Sequence, residues 1–132
     1  MKKSVFTNKI FYYLLVAFII ALLIYNSILS IKDNNIYGII PIAIEIALLV
    51  LIFTKDRYAK LSIIIWAVIF SIIGNGFDAI AYLMDAFNDG FKTIPLYSFL
   101  YDIVGLVIGI LIIDYTRRTV ILERVSSENE SK

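Results

Sequence analysis

The sequence contains no cysteine and no histidine. The absence of cysteine excludes disulfide bonds, thiolate nucleophiles and cysteine-ligated zinc. The absence of histidine removes the most common metal ligand and the side chain that most often carries protons near neutral pH. Proline occurs only twice and tryptophan once in 132 residues. Any chemistry of this chain must therefore come from carboxylates, amides, hydroxyls and phenols.

Charge is also scarce. Only 17% of the residues are charged and 61% are hydrophobic, whereas roughly a quarter of the residues in a typical soluble domain are charged. The formal net charge is +1, so the total charge does not indicate any partner. This composition predicts a membrane protein.

Four long apolar segments meet the length that a bilayer requires, which is about 20 residues rising ~1.5 Å each. We expect an all-α integral membrane protein, a four-transmembrane-helix bundle. Thr93 is the expected N-cap of the fourth span, with Pro95 in its first turn. We also expect the first span to be retained, because it is longer than the apolar region of a signal peptide. The predicted spans are residues 10–31, 36–53, 61–84 and 94–113.

The connectors between the predicted spans are short and polar, so a single domain is expected over residues 1–125. The spacing of Val120, Ile121, Leu122 and Val125 predicts a short amphipathic helix. Residues 126–132 are polar enough to predict a disordered tail.

The positive charges predict an orientation. Ten Lys and Arg residues fall on the side of the two chain ends and two on the other side. By the positive-inside rule we expect a multi-pass protein of the cell inner (cytoplasmic) membrane with both termini in the cytoplasm. The ten are Lys2, Lys3, Lys9, Lys55, Arg57, Lys60, Arg117, Arg118, Arg124 and Lys132, and the two are Lys32 and Lys92.

Three acidic residues lie inside the predicted spans: Glu45, Asp78 and Asp102. Counted from the outer ends of their helices, each lies roughly 10–14 Å below the boundary. Asn26 falls at a similar level on the first span. We therefore expect one polar layer in the outer half of the bundle, to which all four helices contribute.

Polar and small residues recur at helical spacing on the third and fourth spans. On the third span Asn75, Asp78 and Tyr82 form one stripe, which we expect to face neighbouring helices rather than lipid. On the fourth span Gly105 and Gly109 lie on the same face as Asp102 and are expected to allow close helix packing.

Placing an ionised acid inside a membrane span costs free energy, and this cost limits the roles that the three acids can have. An ionised acid near the centre of a membrane helix costs about 2.5–3.5 kcal/mol. Taking up a proton or binding a cation relieves that cost. The leading hypothesis is thus a carboxylate-lined site that binds or transports a cation, a proton or a cationic small molecule. The expected ligand-binding residues are Glu45, Asp78, Asp102, Asn75, Asn26, Tyr82 and Tyr101.

The alternative is a non-catalytic membrane interaction protein, such as an accessory subunit, an immunity protein or a membrane effector, in which the buried acids hold helices together. Tyr82 and Tyr101 then act as interfacial anchors. An enzyme is not expected, because no nucleophile–base pair or phosphate-binding loop is present, and no cofactor or metal site is expected either. The expected partners are the lipid bilayer and a second copy or another membrane protein, but not nucleic acid.

Overall fold

The computed structural model describes residues 2–90 and 96–124, and this part of the chain is mainly helical. Within it, four helical segments are long and apolar enough to span a membrane, which suggests a multi-pass membrane protein. They are Lys9–Asp33, Ile36–Phe53, Ala59–Asp89 and Leu96–Thr119. The prediction of four apolar helices is thus confirmed.

The first two spans follow from clear local signals. Helix α1 (Lys9–Asp33) begins after Asn8, whose side chain accepts a hydrogen bond from the backbone N–H of Phe11. It ends at Asn34, which adopts a left-handed conformation with φ 49°. A 3₁₀ turn (Ile36–Gly38) then leads into α2 (Ile39–Phe53). Pro41 lies in the first turn of α2, where its missing N–H leaves no hydrogen bond unmade.

The third span is continuous but changes its helix type. Helix α3 (Ala59–Ala67) runs into a π-helical segment (Val68–Gly74), and α4 (Asn75–Asp89) completes the span. Gly90, with φ 64°, ends α4 in the left-handed conformation that favours glycine. The predicted end near residue 84 was therefore five residues too early, because the polar residues after it continue the helix.

The fourth span, α5 (Leu96–Thr119), extends six residues past its predicted end at residue 113. Arg117 and Arg118 lie in its last turn, where positive charge interacts favourably with the helix dipole. The expected N-cap at Thr93 lies outside the described residues, as do Pro95 and the predicted tail at 126–132.

A two-stranded antiparallel sheet joins the two ends of the described chain. Strand β1 (Lys2–Phe6) pairs with β2 (Val120–Arg124), so that Lys3 lies opposite Glu123 and Phe6 opposite Val120. The prediction that the tail from Arg117 forms a short amphipathic helix was wrong for Val120, Ile121 and Leu122, which lie in β2, while Val125 lies outside the described residues. β-branched Val120 and Ile121 suit a strand, and the pairing partner needed to form one lies at the other end of the chain.

The sheet is also fastened to the loop between α2 and α3. The backbone N–H of Ser4 donates to the Lys55 carbonyl at 3.0 Å, and the Ser4 hydroxyl donates to the Asp56 carbonyl at 2.6 Å. Beside the sheet, the Thr7 N–H and hydroxyl both donate to the Thr119 carbonyl, at 2.9 and 2.7 Å. Because Ser4 is fully buried, its two hydrogen bonds to the loop are shielded from water.

The spans bury little of their own surface. In the apolar window of each span, at most 22% of the residues are buried. Contacts divide the described chain into two compact units: residues 2–62 with 117–124, and residues 63–90 with 96–116. Apolar side chains left exposed to this extent need lipid or another protein around them.

Candidate functional site

The predicted site residues fall into the two units. Asn26 and Glu45 belong to the first unit, while Asn75, Asp78 and Asp102 belong to the second, together with Tyr82 and Tyr101. Within each unit the structure brings some of these side chains together. The expectation that all of them share one layer stays a prediction.

In the first unit, Glu45 of α2 is joined to Asn26 of α1. The Asn26 Nδ2 donates to Glu45 Oε1 at 2.8 Å, and Glu45 is only 2% exposed. The second carboxylate oxygen, Oε2, is buried and has no hydrogen-bond partner among the described residues. A single neutral amide leaves half of a buried carboxylate unsatisfied, so this group is suited to carrying a proton or to meeting a cation.

In the second unit, Asn75 lies where the π-helical segment returns to α-helix. Its backbone N–H donates to the Ser71 and Ile72 carbonyls. Its side-chain Nδ2 donates to the Ser71 carbonyl at 3.0 Å and to the Phe70 carbonyl at 3.4 Å. When hydrogen bonding changes from five-residue to four-residue spacing, one carbonyl is passed over. The Asn75 amide supplies the Phe70 carbonyl with a donor at that point.

Replacing Asn75 with Leu tests this role. The change keeps the approximate size of the side chain but leaves the Phe70 carbonyl without the side-chain donor, so we expect a loss of about 1–3 kcal/mol in the free energy of unfolding. Unfolding measured by SDS titration in bicelles gives the value. Asn88→Leu, on an exposed position of α4, is the control. An equal loss in both variants would show that the Asn75 amide has no special role.

Two glycines of α5 pack directly against this part of the third span. A Cβ atom added at Gly105 would lie 2.6 Å from Asn75 Nδ2, and one added at Gly109 would overlap Ser71 Cβ and lie 2.8 Å from Ser71 Oγ. The prediction that these glycines allow close packing is confirmed. Residue numbers rise along one helix as they fall along the other, so the two helices are antiparallel.

The same register places Asp78 opposite Asp102, because each lies three residues from the Asn75–Gly105 contact along its own helix. Asp102 is buried, with 6% of its surface exposed, whereas Asp78 is exposed. Two ionised carboxylates on facing positions of packed helices repel each other, so a proton or a cation between them lowers the energy of the pair.

The two tyrosines differ in their placement. Tyr82 follows Asp78 by one helical turn and is half-buried, on the same stripe. Tyr101 precedes Asp102 and is 61% exposed, so it lies on a different face of α5 from the buried acid. Ser71, one helical turn before Asn75, was not among the predicted site residues, and it is the residue that packs against Gly109.

Among the described residues, no third acidic side chain joins Asp78 and Asp102 to form a metal-binding group. In residues 2–90 and 96–124, no three acidic side chains are grouped so that they could hold a metal ion. Two carboxyl groups with an amide nearby can share a proton or bind one positive charge.

Comparison with known proteins gives no assignment: no protein-family model, no curated protein and no solved structure matches this chain.

Proposed function

We propose that this chain is a small multi-pass membrane protein that binds a proton, a cation or a cationic small molecule through acidic side chains in its spans. The facing pair of Asp78 and Asp102 is the main binding position. The observation that supports this proposal is their opposition across two closely packed helices, one turn from the Asn75–Gly105 contact.

The physical argument is that two such acids cannot both stay ionised in an apolar region without compensation. Each ionised acid costs about 2.5–3.5 kcal/mol near the centre of a membrane helix, and mutual repulsion adds to that cost. Neither Lys nor Arg occurs between Leu61 and Arg117 except at Lys92, in the connector before α5. The compensating charge must therefore come from outside this pair of helices, as a proton or as a bound cation.

Glu45 is a second position of the same kind. Its Oε2 atom is buried without a hydrogen-bond partner among the described residues, and Asn26 occupies only the other oxygen. With both termini in the cytoplasm, as the distribution of Lys and Arg predicts, a positive charge bound at either position would enter from the outer side of the membrane.

Substituting each acid of the pair with its amide tests the proposal. In Asp78→Asn and Asp102→Asn, affinity for tetraphenylphosphonium, used as a lipophilic cation, should fall on the order of tenfold or more, since a charged partner is lost. Equilibrium dialysis of the purified full chain in detergent measures binding. Infrared difference spectra between low and high pH measure proton uptake, because each substitution removes one carboxyl C=O band.

Asp33→Asn is the matched control, because it makes the same chemical change at the exposed end of α1. It should alter neither cation binding nor the carboxyl bands assigned to the spans. If all three variants bind the cation as the unsubstituted protein does, and the spectra show no titrating carboxyl at Asp78 or Asp102, the proposal is wrong.

A second candidate is an interaction protein, and the low burial of the spans favours it. At most 22% of each apolar window is buried, which leaves much surface for a second copy or another membrane protein. In that case the acids serve helix packing, and the protein sediments in detergent as an oligomer whether or not Asp78 and Asp102 are replaced with Asn. Sedimentation as a monomer, together with weaker tetraphenylphosphonium binding in the two variants, would favour cation binding instead.

A further inference from the structure

The sheet end of the described chain is strongly basic. Nine Lys and Arg residues lie on the two strands, on the loop between α2 and α3, or in the neighbouring helix turns, against three acidic ones. The acidic residues are Asp56, Asp114 and Glu123. The hydrogen bonds of Ser4 to the carbonyls of Lys55 and Asp56 hold the strands and the loop together, so the charges are concentrated on one structure.

Within the sheet, two positive charges are placed directly opposite each other. Lys2 pairs with Arg124, whereas the next pair, Lys3 with Glu123, combines opposite charges. Like charges at directly opposed positions destabilise an antiparallel ladder. An anion placed over Lys2 and Arg124 would remove that repulsion. Both side chains are exposed and accessible to such an anion.

The same sheet also exposes apolar side chains. Ile121 is 39% and Leu122 is 49% exposed, on the strand that carries Arg124. A soluble polyanion satisfies the positive charges but leaves these side chains in water. The headgroup region of a bilayer accepts both, because apolar groups can enter the acyl boundary while Lys and Arg remain at the phosphates. The sheet also directly adjoins the ends of two candidate spans, α1 and α5.

We propose that this basic end of the described chain, which includes Lys2, Lys3, Lys55, Arg57 and Arg124, binds the headgroups of anionic phospholipids. The phosphates lie over the Lys2–Arg124 pair and the adjoining loop, and Leu122, on the same side of the sheet as Arg124, enters the boundary of the hydrocarbon. The basic end fastens the paired strands to the membrane surface. This interaction is separate from proton or cation binding at the acidic residues.

Electron paramagnetic resonance of spin-labelled lipids tests the proposal. The full chain is reconstituted in phosphatidylcholine vesicles with traces of spin-labelled phosphatidylglycerol or spin-labelled phosphatidylcholine. We expect phosphatidylglycerol to associate with the protein on the order of fivefold more strongly than phosphatidylcholine. The preference should largely disappear in about 1 M salt, where the screening length is ~3 Å.

Three variants test whether the lipid binds at the basic end. The triple variant Lys2→Gln/Lys3→Gln/Arg124→Gln should lose at least half of the preference. Lys32→Gln, at the opposite end of α1, should keep it. Glu123→Gln removes an acid from the same sheet, so it should increase the preference for phosphatidylglycerol. This variant tests the proposal even if the triple variant does not fold. Equal association of the two lipids with the unsubstituted protein, or a preference that Glu123→Gln leaves unchanged, would overturn the proposal.

Discussion

Replacing Gly109 with Ala should destabilise the protein by about 1–3 kcal/mol, because the added Cβ overlaps Ser71 Cβ across two packed helices. Intrinsic helix propensity acts in the opposite direction, since Ala is favoured over Gly by up to ~1 kcal/mol. A net loss therefore reports the steric contact. The free energy of unfolding, measured by SDS titration in bicelles or by steric trapping, gives the result.

Two further variants make this prediction specific to one pair of residues. Ser71→Gly removes the atoms that the new Cβ would meet, so in the double variant the cost of Gly109→Ala should largely vanish. Gly76→Ala is the matched control, because its added Cβ would lie 3.7 Å from Leu106 Cδ2, an ordinary contact. It should leave stability unchanged or slightly raised. Equal losses at Gly76 and Gly109 would contradict the close approach.

Replacing Asn26 with Leu should cost about 1–3 kcal/mol of unfolding free energy, because Glu45 then loses its hydrogen-bond donor in a buried position. The double variant Asn26→Leu/Glu45→Leu replaces both polar groups with apolar ones and should return close to the original stability. The same unfolding measurement applies to both. Ser27→Ala is the control, since the Ser27 hydroxyl only donates to the Leu23 carbonyl of its own helix.

This comparison also separates the two candidate functions. If the apolar double variant is as stable as the original protein, the Asn26–Glu45 pair is not needed to hold α1 and α2 together, and its buried acid requires a different explanation. A double variant less stable than Asn26→Leu alone would instead show that Glu45 serves helix packing.

The four helices were readable from the sequence because hydrophobic length is a strong signal. Their ends were less accurate. Residues 85–89 are polar and were taken as a connector, yet they continue α4 as far as Gly90, whose left-handed φ provides the stop. The terminal sheet was not predicted because its two strands lie at distant positions in the sequence. Strands this far apart are not joined by a short turn, so no turn sequence indicates their pairing.

For the candidate site, helical spacing correctly placed Asn75 and Asp78 on one stripe and Gly105 with Asp102 on another. The contact between the stripes required the structure, because periodicity gives a face but not the face opposite it. The π-helical segment was also beyond the sequence reading. The segment is only seven residues long and no sequence pattern marks it, so only the backbone reveals that Asn75 lies at the transition.

The pairing of β1 with β2 sets an order of events during biosynthesis. Lys2–Phe6 is synthesised before the four apolar helices, whereas its partner Val120–Arg124 is synthesised after them. The first strand therefore has no pairing partner while the helices are being translated. Closure of this sheet marks a chain whose helices have all been synthesised, and a chain truncated before Val120 would leave its first strand open to proteases.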